Sequence, residues 1–84
     1  MYYIYLIQSI PYPDQIYIGF TKNPESRLAN HNTGSTFHTS KYKPWTIVMY
    51  FAFTNKNTAI EFEKYLKSGT GRAFITKRLL SSCP

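Results

Sequence analysis

The stretch YYIYLIQSIPYPDQIYIGFT, residues 2–21, decides how this chain folds. Two runs rich in Tyr and Ile flank a Pro-Tyr-Pro-Asp segment. Each proline lacks an N–H and fixes φ, so the segment cannot continue a strand. The stretch reads as two antiparallel strands, over residues 2–9 and 15–21, joined by a connection of about five residues. On the first strand Tyr3, Tyr5 and Ile7 share one face, and Ile4 and Leu6 the other. On the second, Tyr17 and Gly19 lie opposite Ile16, Ile18 and Phe20. A register that brings Tyr5 close to Tyr17 is allowed, although sequence alone does not fix it.

Reading onward, Asn23 is a helix N-cap, Pro24 fits the first helical position and Glu25 complements the helix dipole. This helix ends near Asn32, with Gly34 as its stop. Arg27 and His31, four residues apart, fall on one of its faces. Residues 33–44 are polar and basic and read as a loop. Residues 45–53, WTIVMYFAF, form a third strand. Strict alternation puts Trp45, Ile47, Met49, Phe51 and Phe53 on one side and Val48, Tyr50 and Ala52 on the other. Apolar residues on both faces predict a central strand covered twice. Asn55 or Thr54 caps a further helix running to about Lys67, stopped near Gly69, with Ala59, Phe62 and Leu66 as its apolar stripe. A last short helix over about residues 71–80 turns Phe74, Ile75 and Leu79 inward and Arg72, Lys77 and Arg78 outward. The predicted fold is α/β in the α+β sense: a three-stranded antiparallel sheet flanked by about three helices. Residues 1–80 read as one domain and 81–84 as a short tail.

Length and composition agree with one domain. Its 84 residues lie near the small end of what folds unaided, but 43% are apolar, enough for a core. No run approaches the ~18 apolar residues of a membrane span, and the first residues have no leader pattern. A soluble, cytoplasmic protein without a membrane partner is expected. The single Cys83 is too few for a disulfide or a cysteine zinc site. Ten Lys and Arg against four Asp and Glu give a net charge of +6. That excess favours a polyanion, nucleic acid first.

The acidic residues are Asp14, Glu25, Glu61 and Glu63. Two-metal nucleases need several converging carboxylates, which so few acids are unlikely material for. One carboxylate with several waters can hold a single Mg²⁺. Glu63 is the candidate, because it falls in the apolar stripe of its helix; the competing reading is a rim glutamate paired with Lys67 at i+4. Glu61 points outward. Arg27 and His31 could clamp a phosphate or shuttle a proton; otherwise they line a solvated face. The tyrosines could be strand packing, or phenols whose ionisation a nearby guanidinium and cation make easier.

Taken in order, Tyr3-Ile4-Tyr5, Tyr17-Ile18-Gly19, Arg27-x-x-x-His31 and Ala59-x-x-x-Glu63-x-x-Leu66 resemble the GIY-YIG nuclease family. The resemblance spans about residues 3–67, and the KSGTGR segment at residues 67–72 looks like its small stand-alone bacterial members. Tyr3 stands where the name-giving motif has Gly. The resemblance implies the GIY-YIG nuclease fold and a metal-dependent endonuclease that hydrolyses DNA phosphodiester bonds, in DNA repair or recombination. It implies that Glu63 holds one divalent cation, Mg²⁺ or else Mn²⁺, on the leaving-group side of the phosphate. Tyr5 is then the general base and Tyr17 orients water or phosphate, two roles that are exchangeable at this level. Arg27 stabilises charge on the non-bridging oxygens, and His31 assists proton movement. His38 falls where some members carry another active-site group. Gly19 is expected to leave room for a phosphate or a backbone. Lys22, Lys41, Lys43, Arg72, Lys77 and Arg78 are expected to supply nonspecific, salt-sensitive phosphate contacts.

So short a chain has little surface for reading bases, so low sequence selectivity is expected. Preference for a DNA structure or a single strand is the finer expectation, with Phe37 and Tyr42 as stacking residues. The partner would be single-stranded, branched or duplex DNA, met by a monomer or weak dimer. Two other readings compete: a non-catalytic nucleic-acid-binding module with the same fold, and an RNA-processing nuclease.

Overall fold

A computed structural model describes residues 1–34 and 37–79, the side chains of Phe37, His38, Arg78 and Leu79 excepted. The strands are β1 (Tyr2–Ser9), β2 (Ile16–Thr21) and β3 (Trp45–Phe53). They form one sheet in the order β2-β1-β3, antiparallel throughout. The hairpin between β1 and β2 is closed by Ser9 N–H donating to Gln15 O at 3.0 Å and Gln15 N–H to Tyr12 O at 2.8 Å. The Ser9 hydroxyl accepts from Tyr12 N–H at 3.1 Å, which offsets what the flanking prolines cannot donate. The register pairs Tyr5 with Gly19 and Ile7 with Tyr17.

Two expectations for β3 fail. It is an edge strand, and the strand covered on both faces is β1, whose residues Ile4, Tyr5, Leu6 and Ile7 have no exposed surface. Nor does β3 alternate strictly. Leu6 pairs with Met49 but Ile7 pairs with Ile47, so Val48 is an extra residue in the ladder. A bulge of one residue moves everything beyond it to the opposite face. Trp45 and Ile47 therefore pack with Tyr5 and Ile7, whereas Val48, Met49, Phe51 and Phe53 pack with Ile4 and Leu6.

Helix α1 (Pro24–Thr33) begins as expected: Asn23 Oδ1 accepts from Ser26 N–H at 3.1 Å, and Gly34 ends the helix at φ 81°. The polar loop after it contains a short helix, α2 (Phe37–Ser40), too brief to show a periodic pattern. The Lys43–Pro44 peptide is cis. Helix α3 (Lys56–Lys67) is capped by Asn55, whose Oδ1 accepts from Thr58 N–H at 3.1 Å. Ala59 and Leu66 are fully buried on its inner stripe, with Phe62 partly so. The final segment starts earlier than predicted. Ser68 caps α4 (Gly69–Phe74), which runs into a π-helical turn over Ile75–Leu79. Ile75 is buried as expected, but Phe74 is exposed and packs only its ring edge toward Tyr65. The expected orientations of Leu79 and Arg78 and the tail at residues 81–84 lie outside the described residues. No described helix is long and apolar enough to cross a membrane.

The sheet thus carries two cores. Ile4, Leu6 and Ile18 pack with Ala59, Leu66 and Ile75 on the α3 face; Tyr5, Ile7 and Trp45 pack on the α1 face with Tyr17, Leu28, Tyr42 and Ile47 against them.

Candidate active site

Tyr5 leaves the middle of the central strand and lays its ring across its partner, Gly19. A Cβ at position 19 would collide with the hydroxyl and ring of Tyr5. The room expected above Gly19 for a phosphate is therefore filled by the phenol, and Gly19 positions that phenol instead. The Tyr5 hydroxyl lies 3.0 Å from His31 Nε2. On the other side of the imidazole, Nδ1 lies 2.7 Å from Thr39 Oγ1. Tyr17 closes the cluster, its ring centroid 4.9 Å from that of His31 and 6.2 Å from that of Tyr5.

Burial pushes the Tyr5 phenol above its ordinary pKa of 10.0, against the pull of the adjacent Arg27 guanidinium; the charges of Tyr17 and Glu63 add to the rise. Burial likewise lowers the His31 pKa below 6.5, and Arg27 lowers it further. At neutral pH the pair is phenol and neutral imidazole. Arg27 is partly buried, and its Nε has no hydrogen-bond partner among the described residues. An unpartnered guanidinium donor inside a cluster of phenols is chemically suited to an incoming anion.

The solvated-face reading of Arg27 and His31 does not hold, since both turn inward. The clamp reading changes as well. His31 has no exposed surface and both ring nitrogens are engaged, so it has no donor left for a phosphate. Its remaining chemistry is exchange of a proton with Tyr5.

Glu63 comes from α3, which packs on the other face of the sheet. The Glu63 charge is still felt at Tyr5, whose pKa it helps to raise. Its side chain is 20% exposed, and its Oε2 lies 3.0 Å from Lys67 Nζ. The rim pairing with Lys67 expected as the competing reading is therefore present. Among the described residues no three His, Cys, Asp or Glu converge on a metal position. A lone carboxylate fits a hard, hydrated cation that keeps its waters and takes phosphate oxygens; it does not fit a metal that needs a nitrogen or sulfur set.

The predicted basic contacts do not gather at one point. Lys22 stands over the Tyr2 ring at 5.6 Å and Lys41 over Tyr42 at 5.2 Å. Lys43 Nζ passes over Gly34. Arg72 and Lys77 are exposed on the segment that packs against α3. The side chains of His38 and Arg78 lie outside the described residues, as does that of Phe37. Tyr42 is partly buried, edge-on to both Tyr12 and Trp45.

Sequence reading missed Thr39, Asn32 and Trp45 as parts of the site's frame. Asn32 accepts from Trp45 N–H through Oδ1 and donates to Trp45 O through Nδ2 at 3.1 Å, tying α1 to the start of β3. Trp45 Nε1–H donates to Thr39 O at 2.8 Å. The one available signal was the presence of two amide- and hydroxyl-bearing residues beside a buried indole, which needs a partner for its N–H.

A three-stranded sheet with paired phenols, an imidazole and a guanidinium on one face, and a carboxylate at its edge, defines a GIY-YIG-type domain. The family of the GIY-YIG catalytic domain matches residues 1–77, and the chain belongs to that family. It is similar to the structure-specific endonuclease subunit SLX1 of Debaryomyces hansenii, 38% identical over 73 residues, covering 79% of this chain and 21% of that protein. The SLX1 homolog of Drosophila mojavensis is 41% identical over 71 residues, covering 74% and 23%. That of Giardia intestinalis is 32% identical over 92 residues, covering 98% and 26%. The chain spans about a quarter or less of the length of these relatives.

Proposed function

We propose that the domain is a divalent-metal-dependent endonuclease that hydrolyses DNA phosphodiester bonds and selects DNA by structure rather than by sequence. The observation that carries this reading is the buried Tyr5–His31 hydrogen bond of 3.0 Å beside the Arg27 guanidinium. A binding module would need this bond only to satisfy a buried phenol, whereas the guanidinium beside it adds a group for a reacting phosphate. The relatives' name, structure-specific endonuclease subunit, supports the preference for structure. Exposed aromatic edges support a single-stranded or branched substrate: Tyr50 stands edge-on to Tyr3, and Tyr12 to Tyr42. The KSGTGR segment supports the finer kinship with the small stand-alone members.

In the proposed mechanism the scissile phosphate draws Arg27 outward, and the guanidinium then neutralises the non-bridging oxygens. That movement uncovers the Tyr5 hydroxyl. A water attacks phosphorus and gives its proton to the Tyr5 oxygen while the phenol passes its own proton to His31 Nε2. The new P–O bond forms as the bond to the leaving oxygen breaks. Tyr5 never has to ionise in advance, so its raised pKa is no obstacle. Tyr17, partly exposed, orients the water or the phosphate. Glu63 would hold the cation, for which Mg²⁺ is proposed; when bound it supplies electrostatic stabilisation of the leaving oxygen. We place the domain in the cytoplasm on its composition.

The test uses labelled single-stranded, duplex and branched DNA with Mg²⁺ or chelator, wild type against Glu63→Ala, with parallel RNA lanes. Branched DNA should be cut with Mg²⁺ alone, and Glu63→Ala should bind it without cutting. Binding without cleavage by the wild type in every lane would sink the enzyme reading. Cleavage confined to RNA would move the substrate class.

A further inference from the structure

We propose that Thr39 is a positioning residue for the reaction: its hydroxyl accepts from His31 Nδ1–H and aims the ring, so that the Nε2 lone pair faces the Tyr5 phenol. This rests on the endonuclease reading of the Tyr5–His31 pair. The argument begins at Tyr5. Its hydroxyl is fully buried, so its proton must find an acceptor inside the protein. The Arg27 guanidinium beside it can only donate. His31 Nε2, at 3.0 Å, is the acceptor within reach. The imidazole is kept neutral by burial, so with Nε2 accepting, the ring proton sits on Nδ1. That proton points at Thr39 Oγ1, 2.7 Å away. The opposite polarity, with Thr39 donating to Nδ1 and Nε2–H pointing at Tyr5, leaves the buried phenol proton facing two donors.

Thr39 is unusually well placed for a residue in a four-residue helix. Its carbonyl accepts from the Trp45 indole N–H at 2.8 Å and from Tyr42 N–H at 3.1 Å. Trp45 is itself tied to α1 through Asn32. The frame that fixes Thr39 is thus anchored to the helix that carries His31, and its side chain is buried with only 2% exposure. Such a supporting partner fixes how the ring is aimed.

The experiment reads the ¹⁵N side-chain resonances of His31 by long-range ¹H–¹⁵N correlation in the DNA-free protein with chelator. The signals are assigned by their loss in His31→Gln. Wild type and Thr39→Ser should show a protonated Nδ1 and an unprotonated Nε2. Thr39→Val, which keeps the shape but removes the acceptor, should leave Nε2 unprotonated but move the protonated Nδ1 resonance upfield, because its hydrogen bond is lost. On branched DNA, Thr39→Val should lower kcat by about 10–100-fold, with KM little changed, and Thr39→Ser should recover most of it. An Nε2–H tautomer in the wild type, or an unchanged Nδ1 resonance in folded Thr39→Val, would overturn the proposal. Should Thr39→Val not fold, the wild-type tautomer and the Thr39→Ser spectrum still decide. A correct tautomer in a protein that cuts no DNA would count against the endonuclease reading alone.

Discussion

On the α3 face of the sheet the buried side chains are Ile4, Leu6, Ile18, Ala59, Leu66 and Ile75. On the α1 face they are Tyr5, Ile7 and Trp45, together with the polar Ser9, His31 and Thr39. Both faces exclude water, but by different means. The first relies on apolar area, which is non-directional and tolerates rearrangement of similar volumes. The second relies on hydrogen bonds that must each find a partner, because an unpaired polar group in that setting is costly. A small domain that must hold phenol, imidazole and guanidinium in fixed register can do so because the buried side chains of the opposite face supply stability without polar groups of their own. Stability and chemistry should therefore respond to different substitutions.

The sharpest way to break this division is to cut the apolar core once and the proposed metal ligand once. Leu66→Ala, in the apolar core, should cost about 2–5 kcal/mol by urea denaturation. In a domain this small that is a large share of its total stability. Glu63→Ala should lower the cleavage rate by about 10²–10³-fold and move the urea midpoint little. If Glu63→Ala unfolded the domain while Leu66→Ala spared it, stability and chemistry would have been assigned to the wrong side chains.

Gly19→Ala comes next, because it meets the division where both strands of the argument cross. The added methyl collides with the Tyr5 ring and must push the hydroxyl away from His31. A displacement of this kind should cost about 100-fold in rate. The overpacking should cost about 1–3 kcal/mol, read in the same urea experiment. Wild-type turnover in a stable Gly19→Ala protein would show that the Tyr5 hydroxyl position does not matter.

The pH response should come from the polar face. The His31 pKa is depressed by folding, so the folded chain resists a proton that the unfolded chain accepts. The stabilisation is complete above about 6.5, the ordinary histidine value, and is lost progressively as pH falls through the lower folded value. Urea midpoints taken from pH 7 down to pH 5 should decline. The Leu66→Ala protein, if folded, should show the same slope, because Leu66 has nothing to titrate and lies on the face away from His31. A flat profile in the wild type would mean that His31 is charged as readily in the fold as outside it.

Much of this could be read before any coordinates. Alternation exposed β1 and β2, and caps at Asn23 and Asn55 marked both long helices, because these signals are local. Glu63 was visible as a polar residue in an apolar stripe, and of its two readings the structure shows the pair with Lys67, the metal role being our proposal. The failures share a cause: they depend on distant partners. Val48 is a bulge only because of what β1 does opposite it, and no pattern within WTIVMYFAF marks the slip. The edge position of β3 follows from pairing order. Thr39 looked like one more hydroxyl in a polar loop; it matters because Trp45 and His31 meet it in space. Gly19 carried the right signal, a demand for space, but not the identity of the occupant.

The smallest expected effect tests how the carboxylate is shared between the faces. Lys67 reaches Glu63 at i+4 from the exposed side of α3, with half of its own side chain in solvent. Such a pair is worth about 0.3–0.5 kcal/mol, so Lys67→Ala should barely move the urea midpoint. Its effect on the metal should be easier to see. The ammonium occupies the same carboxylate that a cation would use, and both cannot have full access to it. Removing Lys67 should lower the Mg²⁺ concentration for half-maximal cleavage by about two- to threefold, the scale of one weak ion pair. A titration of the cleavage rate with Mg²⁺ at fixed ionic strength measures this directly. If the half-saturating concentration rises instead, Lys67 is aiming the carboxylate rather than competing for it, and the rim pair belongs to the chemistry of the α1 face after all.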